Sequence, residues 1–292
     1  MSGVKEIKNH IAGVQDTRKI TNAMYLIAST KLRKAKDDLD KTRPYFSALR
    51  GEVKRLFCAI EKVDSPYLRS PTSKERPGKF GLIVVTSDKG LAGAYNHNVI
   101  KTAEAFLKKH PDARLFVMGE FGRQYFRRKK QEIESDFEFS AQNPTIERSR
   151  IISGQILHLY DIGELSDIYI AYSDMNGLTV RSRMTRLLPL YRDLVTTRAI
   201  NMDMHMSFEF LPNAATVLGS IIRSYISGFI YSAMVDSYCC ELSERMRAMD
   251  SATSNADRII EELSVEYNRR RQAAITQEIT EVSAGARAQK KN

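Results

Sequence analysis

The C-terminal part of the chain carries one very long helical pattern, and this pattern restricts the possible folds most strongly. Residues Phe229–Ala284 contain no Gly and no Pro. From Leu218 to Tyr267 a single register repeats in alternating steps of three and four, as in the seam of a coiled-coil helix. We predict a helix over 213–284, about 110 Å long at 1.5 Å per residue and so too long for one domain of this mass. The seam comprises Leu218, Ile221, Tyr225, Gly228, Ser232, Val235, Cys239, Leu242, Met246, Met249, Thr253, Ala256, Ile260, Leu263 and Tyr267.

The predicted helix has recognisable ends and one irregularity. Pro212 precedes it and Gly285 follows its last periodic residue, which are typical start and stop signals. Beyond Tyr267 the apolar residues move by one position. A seam that drifts in this way predicts a change of partner or a local unwinding. The shifted residues are Ile275, Ile279 and Val282.

The N-terminal part is also helical in pattern. Residues Val14–Arg43 contain no Gly and no Pro, and we expect Pro44 to bend or end the helix before it resumes over Tyr45–Val63. Because the two long helices lie at opposite ends of the chain, an antiparallel pair is the simplest arrangement. The alternative is two separate helices on one globular core. The N-terminal seam is Val4, Ile7, Ile11 and Val14, followed by an approximate stripe of Met24, Ile27, Lys31, Ala35 and Leu39.

Between the two helices, strands and helices alternate, which predicts a small α/β domain with a largely parallel sheet. The fold class is therefore an α/β domain plus a long antiparallel coiled coil formed by the N- and C-terminal helices. We place the N-terminal helix at 1–60, the Rossmann-like domain at 79–191 and the C-terminal helix at 211–286. The predicted strands are 80–85, 113–118, 167–172 and 178–186, and the helices are 96–109, 119–128 and 145–160.

The charge of the chain is basic and unequally distributed. The formal net charge is +10 and the isoelectric point is about 9.4, which favours nucleic acid, anionic lipid or an acidic protein surface as a partner. Residues 1–60 carry 13 basic and 6 acidic groups, whereas residues 211–292 carry 10 of each. The basic excess lies on one helix, without the interleaved aromatic residues of nucleic-acid binders, so a solvated helix face or an acidic protein surface is favoured. Its main cluster is Lys31, Arg33, Lys34 and Lys36.

Several classes of protein are excluded by composition. No apolar run approaches the roughly 20 residues of a membrane-spanning helix, and Lys5, Glu6 and Lys8 interrupt any N-terminal secretory signal. The three cysteines, Cys58, Cys239 and Cys240, form neither a disulfide framework nor a zinc motif. We expect a cytoplasmic protein without a metal or other cofactor.

One Gly-rich loop, SDKGLAGAYN (Ser87–Asn96), follows a predicted strand and precedes a helix. It matches neither GxGxxG nor the P-loop pattern, so Gly90 and Gly93 are interpreted as turn residues rather than a phosphate site. We interpret Asp88 as a turn-stabilising carboxylate and Lys89 as solvated. No arrangement of catalytic side chains stands out, and we predict that the chain is not an enzyme.

Three segments in order resemble the gamma subunit of F-type ATP synthase. At the N-terminus, Lys5–Lys36 resembles the opening helix of this family, with its KIT-x-AM and K-x-RK elements. In the middle, the loop SDKGLAGAYN resembles the family's loop at this point, although Ala92 stands where Cys is usual. At the C-terminus, Glu244–Ala288 (ERMRAMDSATSNADRIIEELSVEYNRRRQAAITQEITEVSAGARA) resembles the family's most distinctive block.

The resemblance implies a rotor. In this family the paired terminal helices turn inside a hexamer of alpha and beta subunits, and the α/β domain contacts the epsilon subunit and the proteolipid c-ring. The chain is then a non-catalytic, peripheral subunit on the cytoplasmic face of a bacterial cell membrane, attached to the membrane only through the complex. It transmits torque during ATP synthesis or hydrolysis and binds no cofactor and no nucleic acid. By matched position, the resemblance implies contact with beta for Met24, Arg245, Gln272 and Thr276.

Three other classes remain as alternatives. A nucleotide-dependent α/β enzyme explains only the middle of the chain and predicts ligand binding by the isolated segment 79–191. A basic coiled coil that binds nucleic acid explains the charge and predicts binding that falls steeply with salt. A passive scaffold explains the long helices. None of the three explains the α/β domain between the helices together with the C-terminal block.

Overall fold

The computed structural model describes residues 2–59, 65–69, 76–176, 179–191, 211 and 213–289. These residues divide into two compact units. One is a two-helix unit, Met1–Ser29 with Arg245–Asn292, and the other is an α/β unit, Thr30–Glu244. The elements in chain order are α1 (Ser2–Ala59), β1 (Leu68–Arg69), β2 (Lys79–Val85), α2 (Tyr95–Leu107), β3 (Arg114–Met118), α3 (Glu120–Arg128), α4 (Ile146–Asp161), β4 (Leu165–Asn176), β5 (Thr179–Leu188), β6 (Leu190–Tyr191) and α5 (Ala214–Gln289).

The α/β unit contains a four-stranded sheet with the order β3-β2-β4-β5. Strand β2 pairs in parallel with β3 and with β4, whereas β5 returns antiparallel to β4. Two short strands, β1 and β6, pair in parallel beside this sheet. The predicted strands and helices of this region, and the largely parallel sheet, are confirmed.

The sheet is covered on both faces, which explains why β2 carries no charged or polar side chain from Phe80 to Val85. Because successive side chains of a strand point to opposite faces, Leu82 and Val84 pack with α2 and α3. Ile83 and Val85 pack with α4 and with the first turns of α5. Helix α5 is therefore part of the core here. The α5 residues in this core include Leu218, Ile222, Ile226, Ile230, Ala233 and Met234.

The two-helix unit pairs α1 and α5 in antiparallel orientation. The hydroxyl groups of Thr21 and Thr253 are 2.7 Å apart, and Arg18 forms an ion pair with Asp257. As the residue number rises on one helix, it falls on the other. The predicted α/β domain with antiparallel terminal helices is thus confirmed, while the boundaries 1–60, 79–191 and 211–286 stay predictions.

Neither long helix ends where an end was predicted, at Pro44 or at Gly285, and the possible bend at Pro44 stays a prediction. Helix α1 continues through Pro44, and α5 continues through Gly285 to Gln289. Phe46, two residues after Pro44, packs against Tyr231 with ring centroids 5.5 Å apart, and this contact stabilises the helix beyond the proline. A single Gly costs a helix only about 1 kcal/mol, so it does not end a helix by itself.

The stripe predicted beyond Val14 on α1 is only partly correct. Thr21, Ala28, Leu32 and Ala35 are buried, together with half-buried Met24 and Leu39, but Ile27 is 56% exposed and Lys31 is exposed. The buried face follows positions separated by three, four and seven residues, as a helix requires. Small residues occupy this face in place of Ile27, because two helices can approach each other closely only where the side chains between them are small.

The two described cysteines lie inside the α/β unit. Cys239 and Cys240 are both buried free thiols on α5. Burial raises the pKa of the Cys239 thiol to about 11 and also raises that of Cys240. Cys58 lies in α1, but its side chain is outside the described residues.

We expect slow alkylation of Cys239 in the folded chain. A rise in pKa from 9.0 to about 11 lowers the thiolate fraction near pH 8 about 100-fold. Iodoacetamide labelling, read for each cysteine by mass spectrometry, should therefore be at least that much slower than in denaturant. Because unfolding releases this proton, the free energy of unfolding should fall as pH rises from about 9 to about 11. Equal labelling rates in folded and denatured chain would contradict the buried position.

Candidate functional site

The surface of the two-helix unit combines a covered seam with uncovered apolar side chains. The predicted seam residues of α5 in this unit, from Met246 to Tyr267, are buried or half-buried. Other large apolar residues of both helices point outward, with exposed fractions between 36% and 73%. Ile275, Ile279 and Val282, four and three residues apart on α5, form one exposed apolar stripe, and a contiguous apolar surface indicates a binding site for another protein. The exposed apolar residues are Ile20, Leu26 and Ile27 on α1, and Ile259, Val265, Ile275, Ile279 and Val282 on α5.

Sequence reasoning identified only part of this apolar surface. The shifted seam included Ile275, Ile279 and Val282, and α5 remains helical there while all three side chains are exposed. The local unwinding is therefore not present. Ile20 was missed, although it lies one heptad before Ile27, and this spacing places both on one side of α1.

The four residues matched to beta contacts do not form one compact site. Met24 and Arg245 are half-buried, whereas Gln272 and Thr276 are exposed. Thr276 donates a hydrogen bond from its hydroxyl to the carbonyl oxygen of Gln272, 2.9 Å away, one turn along α5. From Arg245 to Thr276 the helix rises by about 46 Å. The four side chains are thus distributed along the two-helix unit.

The basic cluster predicted on α1 is exposed. Lys31, Arg33, Lys34 and Lys36 flank the buried residues Leu32 and Ala35 on both sides. Among the residues that the structure describes, none of these four basic groups forms an ion pair. The cluster therefore presents a positive surface on the α/β unit.

The Gly-rich loop is a structural joint built around Asp88. One carboxylate oxygen of Asp88 accepts a hydrogen bond from the backbone N–H of Glu120 at the start of α3, at 3.1 Å. The other accepts from the Ser140 hydroxyl at 2.6 Å and from the N–H groups of Ala141 and Gln142 at 3.1 and 3.3 Å. Asp88 thus ties β2, α3 and the segment before α4 together.

The remaining loop residues pack against neighbouring elements. Ser87 and Asn96 close the loop, with the Ser87 N–H donating to the Asn96 side-chain oxygen at 2.9 Å. Gly93 has a φ of +54°, and a methyl group there would lie 3.4 Å from the Glu244 carboxylate on α5. Gly90 lies beside Phe121, and the neighbouring Lys89 is exposed. This geometry agrees with a turn rather than with a phosphate cradle.

We expect the substitution Asp88→Ala to destabilise the chain by about 2–3 kcal/mol, because several hydrogen bonds to one carboxylate are lost together. Urea unfolding followed by circular dichroism measures this change. Asp112→Ala removes an exposed carboxylate of the same unit and serves as the control, with a change within about 0.5 kcal/mol. Equal destabilisation by the two substitutions would show that Asp88 is not the joint.

Two features are absent from the described part of the chain. No helix there combines the length and apolarity needed to cross a membrane. No three His, Cys, Asp or Glu side chains there are grouped so that they could hold a metal ion.

Comparison with known proteins decides the family. The family model described as ATP synthase matches residues 3–289. The chain is 40% identical to the ATP synthase gamma chain of Caldanaerobacter subterraneus subsp. tengcongensis, over 97% of this chain and 99% of the relative. The chain belongs to the ATP synthase gamma-chain family. A second gamma chain, from Acetivibrio thermocellus, is 38% identical over 99% of this chain and 100% of its own length.

Solved structures show the same fold at low identity. A chain of the Euglena gracilis mitochondrial ATP synthase aligns with a TM-score of 0.68 at 15% identity, covering 98% of this chain and 94% of that one. A chain from the central stalk and c-ring of the Tetrahymena thermophila mitochondrial ATP synthase aligns with a TM-score of 0.60 at 20% identity, covering 80% and 99%. The predicted identity as an ATP synthase gamma subunit is confirmed by the sequence matches, and these structures show the same fold.

Proposed function

We propose that the chain transmits torque without catalysing a reaction itself. As the central-stalk rotor of an ATP synthase, it connects an ion-driven proteolipid c-ring to a hexamer of alpha and beta subunits, where ATP is made or hydrolysed. The observation that carries this proposal is the full-length match to gamma chains, together with the outward apolar residues of the two-helix unit. The nucleic-acid and scaffold alternatives do not account for that match.

Torque transmission requires a stiff element, and α5 supplies one. It is a single helix from Ala214 to Gln289. A helix resists bending and twisting because every turn is held to the next by backbone hydrogen bonds. Pairing with α1 in the two-helix unit adds a second helix to the same element.

During rotation the outward surface contacts three beta subunits in turn, and these differ in the nucleotide that they hold. We propose that Met24, Arg245, Gln272 and Thr276 contact beta, and that the exposed apolar residues near the C-terminal end of α5 lie in an apolar sleeve of the hexamer. Apolar contact is non-directional and so permits sliding. The basic group Lys31, Arg33, Lys34 and Lys36 then faces acidic segments of beta. Exposed ion pairs contribute at most about 1 kcal/mol each, which guides rotation without stopping it.

The α/β unit is proposed to contact the epsilon subunit and the c-ring. The chain is then a peripheral protein on the cytoplasmic side of a bacterial cell membrane, held there through the complex. Within the α/β unit, the Asp88 joint keeps β2 and α3 fixed to one another. A rigid unit transmits the applied torque with little angular deformation of its own.

Reconstitution tests the proposal. The chain is expressed with the alpha and beta subunits of its own organism, and the purified complex is assayed for subunit ratio and ATP hydrolysis. We expect one chain for every three alpha and three beta subunits, and hydrolysis that depends on this chain. A full-length, folded chain that neither co-purifies nor changes the activity would contradict the rotor function.

A further inference from the structure

The outer edge of the sheet is formed by β5. In the described residues this strand pairs with β4 on one side and with no strand on the other. An edge strand presents unpaired backbone N–H and C=O groups, which form a template for a strand from another protein. Any partner that adds a strand here is bound mainly through its backbone.

Side chains of β5 alternate between two different surroundings. Val180 and Met184 pack towards the apolar cluster that contains α2. Between them, the hydroxyl of Ser182 lies 2.8 Å from that of Thr102 on α2. Arg181 and Arg183 point to the opposite face and are exposed. A strand added beside β5 would alternate in the same way.

A shallow trough lies between α2 and this edge. Its volume is about 450 Å³. The floor is formed by Ala105, Phe106 and Met184, and the sides include Lys101 and Lys109, which are eight residues apart on α2. This apolar floor lies on the side where alternate side chains of an added strand would point.

The charges around the edge are mainly positive. Arg183 forms an ion pair with Asp174 at 2.8 Å. In the described structure, Arg181, Lys101 and Lys109 have no carboxylate within ion-pair distance, and all three are exposed. Asp174, which pairs with Arg183, is also the cross-strand partner of Arg181, so the positive excess lies mainly on Lys101 and Lys109. This excess favours an acidic partner over a basic one.

We propose that β5 is the docking edge for an acidic, extended segment of another subunit of the complex. The segment adds as a fifth strand of the sheet. On the α2 face its apolar side chains enter the trough, and a carboxylate at the rim lies between Lys101 and Lys109; on the opposite face its carboxylates lie near Arg181. Nucleic acid and lipid headgroups lack the backbone N–H and C=O pattern that pairs with a strand edge. This inference rests on the proposed function, because the segment is supplied by the assembled complex.

Hydrogen exchange distinguishes strand addition from a purely electrostatic contact. Exchange is followed by mass spectrometry in the free chain and in the complete ATP synthase assembled from the subunits of its own organism. We expect the outward N–H groups of Thr179–Arg186 to exchange at least about tenfold more slowly in the complex, because they become hydrogen-bonded. Strand β2, which has neighbours on both sides, is the internal reference.

Charge-reversing variants identify the chemistry of the segment. Arg181→Glu and Lys109→Glu should each remove most of this protection, whereas Arg128→Glu, an exposed residue of α3, should leave it unchanged. A complex that assembles with β5 exchanging as fast as in the free chain overturns the inference alone. Protection of β5 that is already present in the free chain also overturns the inference. An equal loss of protection with Arg128→Glu does the same. A chain that does not assemble contradicts the proposed function and this inference with it.

Discussion

The substitution Gly119→Ala should destabilise the chain by about 3–4 kcal/mol, because two separate costs add. Gly119 has a φ of +87°, a conformation that costs a residue with a side chain on the order of 1–3 kcal/mol. In addition, a methyl group would contact the carbonyl oxygen of Thr86 and lie only 2.7 Å from that of Ser87. Both oxygens belong to the backbone, so neither can rotate away.

The position of Gly119 explains why the effect should spread through the α/β unit. Its N–H donates to the Phe139 carbonyl oxygen at 3.1 Å, directly beside the segment held by Asp88. The hydroxyl of Thr86 donates to the Met118 carbonyl oxygen at 2.7 Å and accepts from the Gly122 N–H at 3.0 Å. A shift of this backbone would separate β2 from the start of α3.

Gly154→Ala is the matched control. This glycine lies in α4, and a methyl group there would have no heavy atom within 4 Å. Alanine should stabilise the helix by about 0.5–1 kcal/mol. Urea unfolding of both variants measures the difference. If Gly119→Ala unfolds at the same urea concentration as the parent chain, the described backbone at this turn is wrong.

Removal of residues 270–292 should lower ATP hydrolysis by the assembled complex on the order of tenfold. This corresponds to about 1.4 kcal/mol of lost interaction in the rate-limiting step. The deleted segment contains Ile275, Ile279 and Val282, whose exposed fractions are 46%, 62% and 73%. These side chains contribute little to the stability of the chain itself, so the truncated chain should fold and assemble.

Three substitutions distinguish the loss of apolar surface from the loss of helix length. Replacing Ile275, Ile279 and Val282 by Gln keeps the helix and removes the apolar surface, and it should lower hydrolysis nearly as much as truncation. The control replaces Gln277 and Glu281, which hydrogen-bond to each other at 2.9 Å on the same turns, by Ala. Full activity of the Gln variants would contradict an apolar sleeve around this part of α5.

Much of the fold could be predicted because it depends on local periodicity. The seam from Met246 to Tyr267 is a local pattern, and these side chains are buried or half-buried as expected. The apolar run Phe80–Val85 predicts a strand covered on both faces, which β2 is. In both cases the spacing of the apolar residues follows from the secondary structure of that one element and does not depend on the partner against which it packs.

The sequence-based predictions were wrong where contacts with other helices, rather than local periodicity, determine the structure. In a helix interior a proline costs about 3 kcal/mol and a glycine about 1 kcal/mol, yet both helices continue through Pro44 and Gly285. Ile27 is apolar but exposed, because the close approach of the helices uses the smaller Ala28 instead. The helical period alone could not distinguish these adjacent positions.

The candidate site was less predictable than the fold. The Asp88 joint depends on donors 32 to 54 residues away, and the segment 140–142 has no periodicity that indicates this contact. The basic cluster on α1 could be predicted because charge is read directly from the sequence. The beta contacts at Met24, Arg245, Gln272 and Thr276 came from resemblance alone and stay predictions.

Direct observation of rotation tests the central claim. The hexamer is fixed to a surface, and a visible probe is attached to the α/β unit through a cysteine introduced at the exposed residue Gln155. With ATP we expect the probe to turn in one direction, with pauses that repeat with the threefold symmetry of the hexamer. A probe that stays fixed while the same complex hydrolyses ATP would contradict the rotor function of this chain.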